Sequence, residues 1–245
     1  MFIEFLTRNN FSKEYLEFFS NRFTYSNLEL EHNNPDVSTV SISSEMFRNQ
    51  KAFANLLKEN PDRISPYDLI ETASILNDES IAKGFRKTEV VVSKAKYFEP
   101  RNKAEVQAAV YYAFNNYHNV WNELDPYERE ARLHIELVRI QPFEDGNKRT
   151  ARIVTCFNLM KQNKAPILLT ETDTEEYFTY IDKYDVNGLT KLFRRKSQEE
   201  FNVMLDLYQK IYPDGLFSDE EPLVSGDDSD VQIYVMSKIK RLTKN

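Results

Sequence analysis

Ile140-Gln141-Pro142-Phe143-Glu144-Asp145-Gly146-Asn147-Lys148-Arg149-Thr150-Ala151-Arg152 is the stretch from which the rest of the chain is best read. It joins two segments of helical period, and its punctuation is specific. Pro142 disfavours helical geometry at the residue before it. The first helix is therefore expected to end at Gln141, with that side chain aimed at the mouth of the loop. Phe143 is apolar in a polar run and is expected to anchor the loop in the core. Gly146 permits a backbone turn that other residues resist. A second helix opens near Asn147, so its free N–H groups and the positive end of its dipole face the loop.

Such a terminus is a ready anion site. Lys148, Arg149 and Arg152 add three cations to its first turns, and Arg149 and Arg152 share a face at i, i+3 spacing. Cations at a helix N-terminus oppose the dipole, so they are poor helix design unless a polyanion such as a triphosphate sits there. Asp145, a hard oxygen ligand beside that anion, suits Mg²⁺ held jointly by a carboxylate and phosphates. Asp-Gly-Asn alone is a common turn, and an Arg pair alone is an ordinary solvated face. The full combination reads as a nucleotide-phosphate cradle.

Outward from the loop, most of the chain reads as helices between short polar breaks. Ser65-Pro66-Tyr67-Asp68 and Asp125-Pro126-Tyr127-Glu128 each place a capping residue before Pro at the first helical position. Further helices are expected over about 44–59, from Asn102 onward, over 147–160, 173–184 and 189–212. Glu89–Phe98 breaks the period: it is β-branched and aromatic-rich, and reads as a short hairpin or extended flap. The expected fold is all-α, a helical bundle with a small β-hairpin flap. Its parts are an N-terminal helical region (1–63), a main domain (64–200), and a C-terminal helix with acidic linker and tail (201–245).

The whole-chain numbers agree. Hydrophobic residues make up 41% and aromatics 13% of 245 residues, enough for a packed core, while 5 Gly are few for a turn-rich β fold. The net charge of −7 is local: the segment 213–230 holds seven acids and no Lys or Arg, leaving the remainder neutral. A neutral body gives no reason to expect nucleic-acid binding. Cys156 is the single cysteine, which excludes an internal disulfide and a zinc-ribbon spacing. No run reaches the length of a membrane helix, and the start is too short in apolar residues for a signal peptide, so a cytoplasmic protein is expected.

The loop resembles the signature of the Fic (Fido) family, His-x-Phe-x-Asp/Glu-Gly-Asn-Gly/Lys-Arg followed closely by a second Arg. It matches at every defined position except the first, where Gln141 stands in place of histidine. The resemblance implies a helical fold that binds Mg²⁺ and ATP and transfers AMP to a protein Ser, Thr or Tyr hydroxyl. It implies that Asp145 holds Mg²⁺, that Gly146, Asn147 and Lys148 line the anion hole, and that Arg149 and Arg152 grip the phosphates. It makes 89–98 the flap on which a target protein docks by strand addition. Tyr177 and Asp185, eight residues apart, resemble the family's adenine-side Tyr and Asn, with Asp185 departing from the pattern. Glu31, in Leu30-Glu31-His32-Asn33, resembles an inhibitory glutamate that pairs with the second motif Arg, with Glu29 as the fallback. Homodimers are common in the family.

In the family the histidine takes the proton of the attacking hydroxyl, and glutamine has no group that can do so. Loss of a general base costs ~10²–10⁴ in rate, whereas positioning and charge stabilisation survive. His134 lies two turns earlier, ~10 Å away, and reads as a core residue. Three functions stay open: a weak or inactive AMP transferase, a nucleotide-responsive binding module, and a transferase using another phosphate-containing donor, to which Lys148 points.

Overall fold

The computed structural model describes residues 10–31, 39–59, 61–77, 84–92, 95–96 and 98–211. They form helices α1 (Asn10–Glu31), α2 (Thr39–Glu59), α3 (Pro66–Leu76), α4 (Val106–Asn119), α5 (Pro126–Ile140), α6 (Asn147–Lys161), α7 (Thr174–Asp182) and α8 (Val186–Ile211), with a short 3₁₀ turn at Glu171–Asp173. Among the described residues none of these helices is long and apolar enough to cross a membrane.

The helix starts follow from local chemistry. Ser65 accepts from the Asp68 N–H while Asp68 Oδ2 accepts from the Ser65 N–H at 2.8 Å, a reciprocal cap with Pro66 at the first helical position. Asp125 Oδ1 accepts from the Tyr127 and Glu128 N–H groups ahead of Pro126.

The bundle is organised around α5 and α6. Every residue of α6 from Thr150 to Met160 is buried, as expected of a helix covered on all sides. Three of its polar members find partners on neighbouring helices, while Thr150 Oγ1 has no hydrogen-bond partner among the described residues. Thr155 meets His134 of α5 at 2.9 Å, Asn158 donates to Glu130 of α5, and Arg152 donates to Asn27 of α1. α5 in turn packs against α8, α6 and α4. α1 contributes Tyr15, Phe19 and Phe23 at i, i+4 spacing, and Phe19 and Phe23 meet Phe53 of α2 in edge-to-face contacts. A buried carboxylate fastens the same helix to α8: Glu200 accepts from Arg22 at 2.8–2.9 Å and from the Tyr15 hydroxyl at 3.1 Å.

The expected hairpin is absent: among the described residues no strand forms, and the fold is helical throughout. Residues 84–92 run irregularly beside the motif loop, with backbone bonds from the Arg86 N–H to the Pro142 carbonyl at 2.9 Å and from the Ala95 N–H to the Val92 carbonyl at 3.1 Å. β-branched residues need a partner strand, and here the available donors are taken by side chains instead. Glu89 accepts from the Lys103 N–H, and the Asp182 carboxylate accepts from the Lys96 N–H at 3.0 Å.

Candidate functional site

α5 ends at Ile140, and Gln141 adopts φ 52°, ψ 66°, the left-handed conformation that closes a helix and escapes the clash before Pro142. Its side chain borders a cleft of about 160 Å³ with Leu30, Val92, Phe98, Lys148 and Phe178. Both polar atoms of that side chain are engaged, however. Nε2 donates to the Val138 carbonyl at 2.6 Å, and Oε1 accepts from Asn147 Nδ2 at 3.0 Å. The residue is at the loop mouth as expected, but its amide is turned back onto the protein.

The loop is closed from inside by Asn147. Its Oδ1 accepts from the Phe143 N–H and its Nδ2 donates to the Phe143 carbonyl, each at 2.8 Å. The Asn147 side chain therefore shapes the loop rather than facing out of it. Phe143 is buried and stacks on Phe85, as its position in the polar run predicts. Gly146 sits at φ 73°, and a Cβ there would lie 2.5 Å from Asn77 Oδ1. Conformation and space both demand glycine.

The cations at the head of α6 have different surroundings. Lys148 lies over the Phe178 ring at 5.2 Å and borders the cleft. Arg149 pairs with Asp145 at 3.1 Å and approaches Glu45 of α2 at 3.9 Å. Arg152 is 1% exposed, and its Nε donates to Asn27 Oδ1 at 2.6 Å. The last turn of α1 thus covers the α6 N-terminus, with Leu30 at the cleft and Asn27 on Arg152. Glu31 ends α1, and its side chain and that of Glu29 lie outside the described residues.

Tyr177 is fully buried. Its hydroxyl meets His134 Nε2 at 2.8 Å and the two rings cross edge to face. The ring that the resemblance places on the adenine side is thus packed among core residues here. Its neighbour Phe178 is the aromatic that reaches the cleft. Asp185 caps α8 by accepting from the Gly188 N–H at 2.8 Å, which short polar side chains do at helix starts. Burial, then the Arg152 charge, drives the His134 pKa down to about 3, so this imidazole is neutral and enclosed.

Asp145 is largely exposed at the loop mouth, with one carboxylate oxygen held by Arg149. Among the described residues no cluster of three His, Cys, Asp or Glu side chains is placed to hold a metal unaided. A single carboxylate beside a phosphate site fits Mg²⁺, which keeps waters and shares substrate oxygens.

Three positions went unread in the sequence. Arg86 is buried: its Nε donates to the Gln141 carbonyl at 2.7 Å, its Nη1 to Thr88 at 2.6 Å and its Nη2 to Arg101. Asn77 donates to the Asp145 carbonyl at 2.9 Å and abuts Gly146. Glu144 accepts from the Lys87 and Thr88 N–H groups and from the Thr88 hydroxyl. Each joins the loop to a segment 55 to 68 residues away, where no local pattern signals it.

Residues 63–159 match the Fic/DOC family. Beyond that match, the chain is 27% identical over 183 residues to the protein adenylyltransferase fic-1 of Caenorhabditis briggsae, covering 72% of this chain and 36% of the relative. It is 34% identical over 71 residues to the protein adenylyltransferase Fic of Nematostella vectensis, covering 29% of this chain and 17% of that one. The chain thus spans about a third or less of these relatives. A solved Fic-domain-containing signaling protein from Bacteroides thetaiotaomicron shares the fold, with a TM-score of 0.60 at 19% identity, over 100% of this chain and 95% of that one. C. elegans Fic-1 (residues 134–508) does so with a TM-score of 0.62 at 19% identity, over 84% and 67%.

Proposed function

We propose that the chain binds Mg·ATP at the loop 141–152 and descends from enzymes that transfer AMP to a protein hydroxyl, with transfer suppressed at Gln141. The observation that carries this reading is the head of α6. A left-handed Gly146 opens a helix whose free N–H groups make an anion site, with Lys148 and Arg149 in its first turn. Asp145 is the residue that would hold Mg²⁺, which supplies charge neutralisation to the phosphates when bound. Gly146, the Asn147 backbone, Lys148, Arg149 and Arg152 would take the phosphates. Phe178 gives the cleft an apolar wall. The names of the relatives support the reaction class, and the extended segment 89–92 supports a target protein aligned beside Gln141, since Val91 is almost fully exposed. Glu31 remains the candidate regulatory acid, given that α1 already reaches Arg152 through Asn27.

Calorimetry with Mg·ATP tests the binding half, and radiolabelled ATP with a lysate tests transfer, the chain and Gln141→His side by side. Micromolar binding by both, with transfer raised ~10²–10⁴-fold in the histidine variant, is the expected outcome. Absence of ATP binding by either protein overturns the reading.

A second reading is favoured by the Gln141 hydrogen bonds. With its amide held by Val138 and Asn147, position 141 acts as a structural clasp, and the protein is a nucleotide-responsive binding module. ATP binding without label transfer, unchanged by Gln141→His, selects this second account. Transfer to a substrate from a phosphate donor other than ATP would select the third.

A further inference from the structure

A second cleft, of about 270 Å³, opens at the far end of α6. From Arg149 to Lys161 the helix rises ~18 Å, so this cleft is remote from the motif loop. Four parts of the chain meet there: the turn before α3 (Arg63), the end of α4 (Tyr117, His118), the first turns of α5 (Arg129) and the last turn of α6 (Asn158, Lys161, Gln162).

Beneath it lies a closed polar network. The fully buried Glu130 accepts from the Tyr117 hydroxyl at 2.6 Å, from Asn158 Nδ2 at 2.9 Å and from Gln162 Nε2 at 2.9 Å. With these donors spent on one carboxyl, the base of the cleft is fixed in shape.

The walls carry cations with donors to spare. Arg129 lies over the Tyr117 ring at 3.9 Å and uses only Nε, donating to the Tyr117 carbonyl at 3.2 Å. Its two terminal nitrogens make no hydrogen bond or ion pair among the described residues. Arg63 uses only Nη2, on the His118 carbonyl and Asn119 Oδ1. Part of this positive charge answers the carbonyl end of α4, as cations at helix C-termini do. That role accounts for one nitrogen of each guanidinium and leaves the others unexplained. Lys161 also borders the cleft, as does Asp62, the one acid among its lining residues. His118 adds no charge: burial holds its pKa below the usual histidine value, and Arg63 and Arg129 push the same way.

We propose that this cleft is a second anion site, taking a small phosphate-class oxyanion between Arg63, Arg129 and Lys161. Guanidinium forks match such oxyanions in pairs of hydrogen bonds. Phosphate and pyrophosphate are the simplest oxyanions that such a set of cations can grip from several sides.

The test is calorimetry with inorganic pyrophosphate on three proteins: the chain itself, Arg149→Ala, and the double variant Arg63→Gln/Lys161→Gln made in the Arg149→Ala background. Arg129 is left intact because it packs on Tyr117. Arg149→Ala is expected to keep a pyrophosphate site, and the double variant built on it to lose affinity by about tenfold or more. Cooperative thermal unfolding of the double variant, with a midpoint lowered by no more than a few degrees, would show that the loss is local. Acetate in place of pyrophosphate is expected to bind far more weakly. The proposal is overturned if Arg149→Ala abolishes all pyrophosphate binding, if the double substitution changes nothing, or if acetate binds as well. None of these outcomes depends on ATP binding at the motif loop.

Discussion

The two ends of α6 carry the same kinds of side chain in opposite electrical settings. At its head, Lys148, Arg149 and Arg152 stand against the positive end of the dipole, and the structure spends neighbours on them: Asp145 and Glu45 on Arg149, Asn27 on Arg152. At its foot, Lys161 lies where the dipole welcomes a cation, and Arg63 and Arg129 close the carbonyl end of α4. Cations that cost a fold its stability ask for a functional reason, whereas cations that help it need one only for the donors left over. Composition cannot tell these cases apart. Position along the helix can.

The largest expected effect sharpens the foot of the helix. Burial pushes the Glu130 pKa up to about 7, against hydrogen bonds from Tyr117, Asn158 and Gln162 that favour its charge. A carboxyl whose folded pKa lies above its unfolded value stabilises the fold fully below the unfolded pKa, near 4.5, and loses that contribution as pH rises through about 7. Denaturant unfolding across that window should show wild type losing about 3 kcal/mol relative to Glu130→Gln. Parallel pH profiles for the two proteins would refute it.

Gly146→Ala attacks the head. A left-handed alanine whose Cβ meets Asn77 should cost about 2 kcal/mol in urea unfolding and abolish the anion cradle. An alanine protein of wild-type stability would mean that the loop relaxes freely. Next comes Asn27→Ala, which strips the acceptor from buried Arg152 and should cost about 1–2 kcal/mol by thermal or urea unfolding. The smallest effect speaks most directly to the comparison. Lys161→Gln should destabilise by about 0.5 kcal/mol at low salt, and Lys148→Gln by less or not at all. Equal losses at both ends, unchanged by salt, would break the contrast drawn above.

Much of this was legible before any coordinates. The starts of α3 and α5 are written in Ser65-Pro66 and Asp125-Pro126, because capping is a matter of adjacent residues. The motif loop is legible for the same reason: Pro142, Phe143 and Gly146 act on their own backbone. Glu89–Phe98 misled, since β-branched side chains describe a preference and a strand also needs a partner. Spacing alone does not tell which face of α7 a residue takes: the Tyr177 ring is buried beside His134, while Phe178 borders the cleft. Arg86, Asn77 and Glu144 left no trace, for each acts across a long separation in sequence.

Arg86 has one more consequence. A single guanidinium holds the carbonyls of Gln141, Thr88 and Arg101, and its own N–H donates to the Pro142 carbonyl at 2.9 Å. The segment that would receive a peptide and the residue that stands at the family's catalytic position are therefore fastened to one rigid node. A pull on the segment at Thr88 is felt at the backbone of residue 141 without any helix having to move. The two sides of the cleft behave mechanically as one jaw.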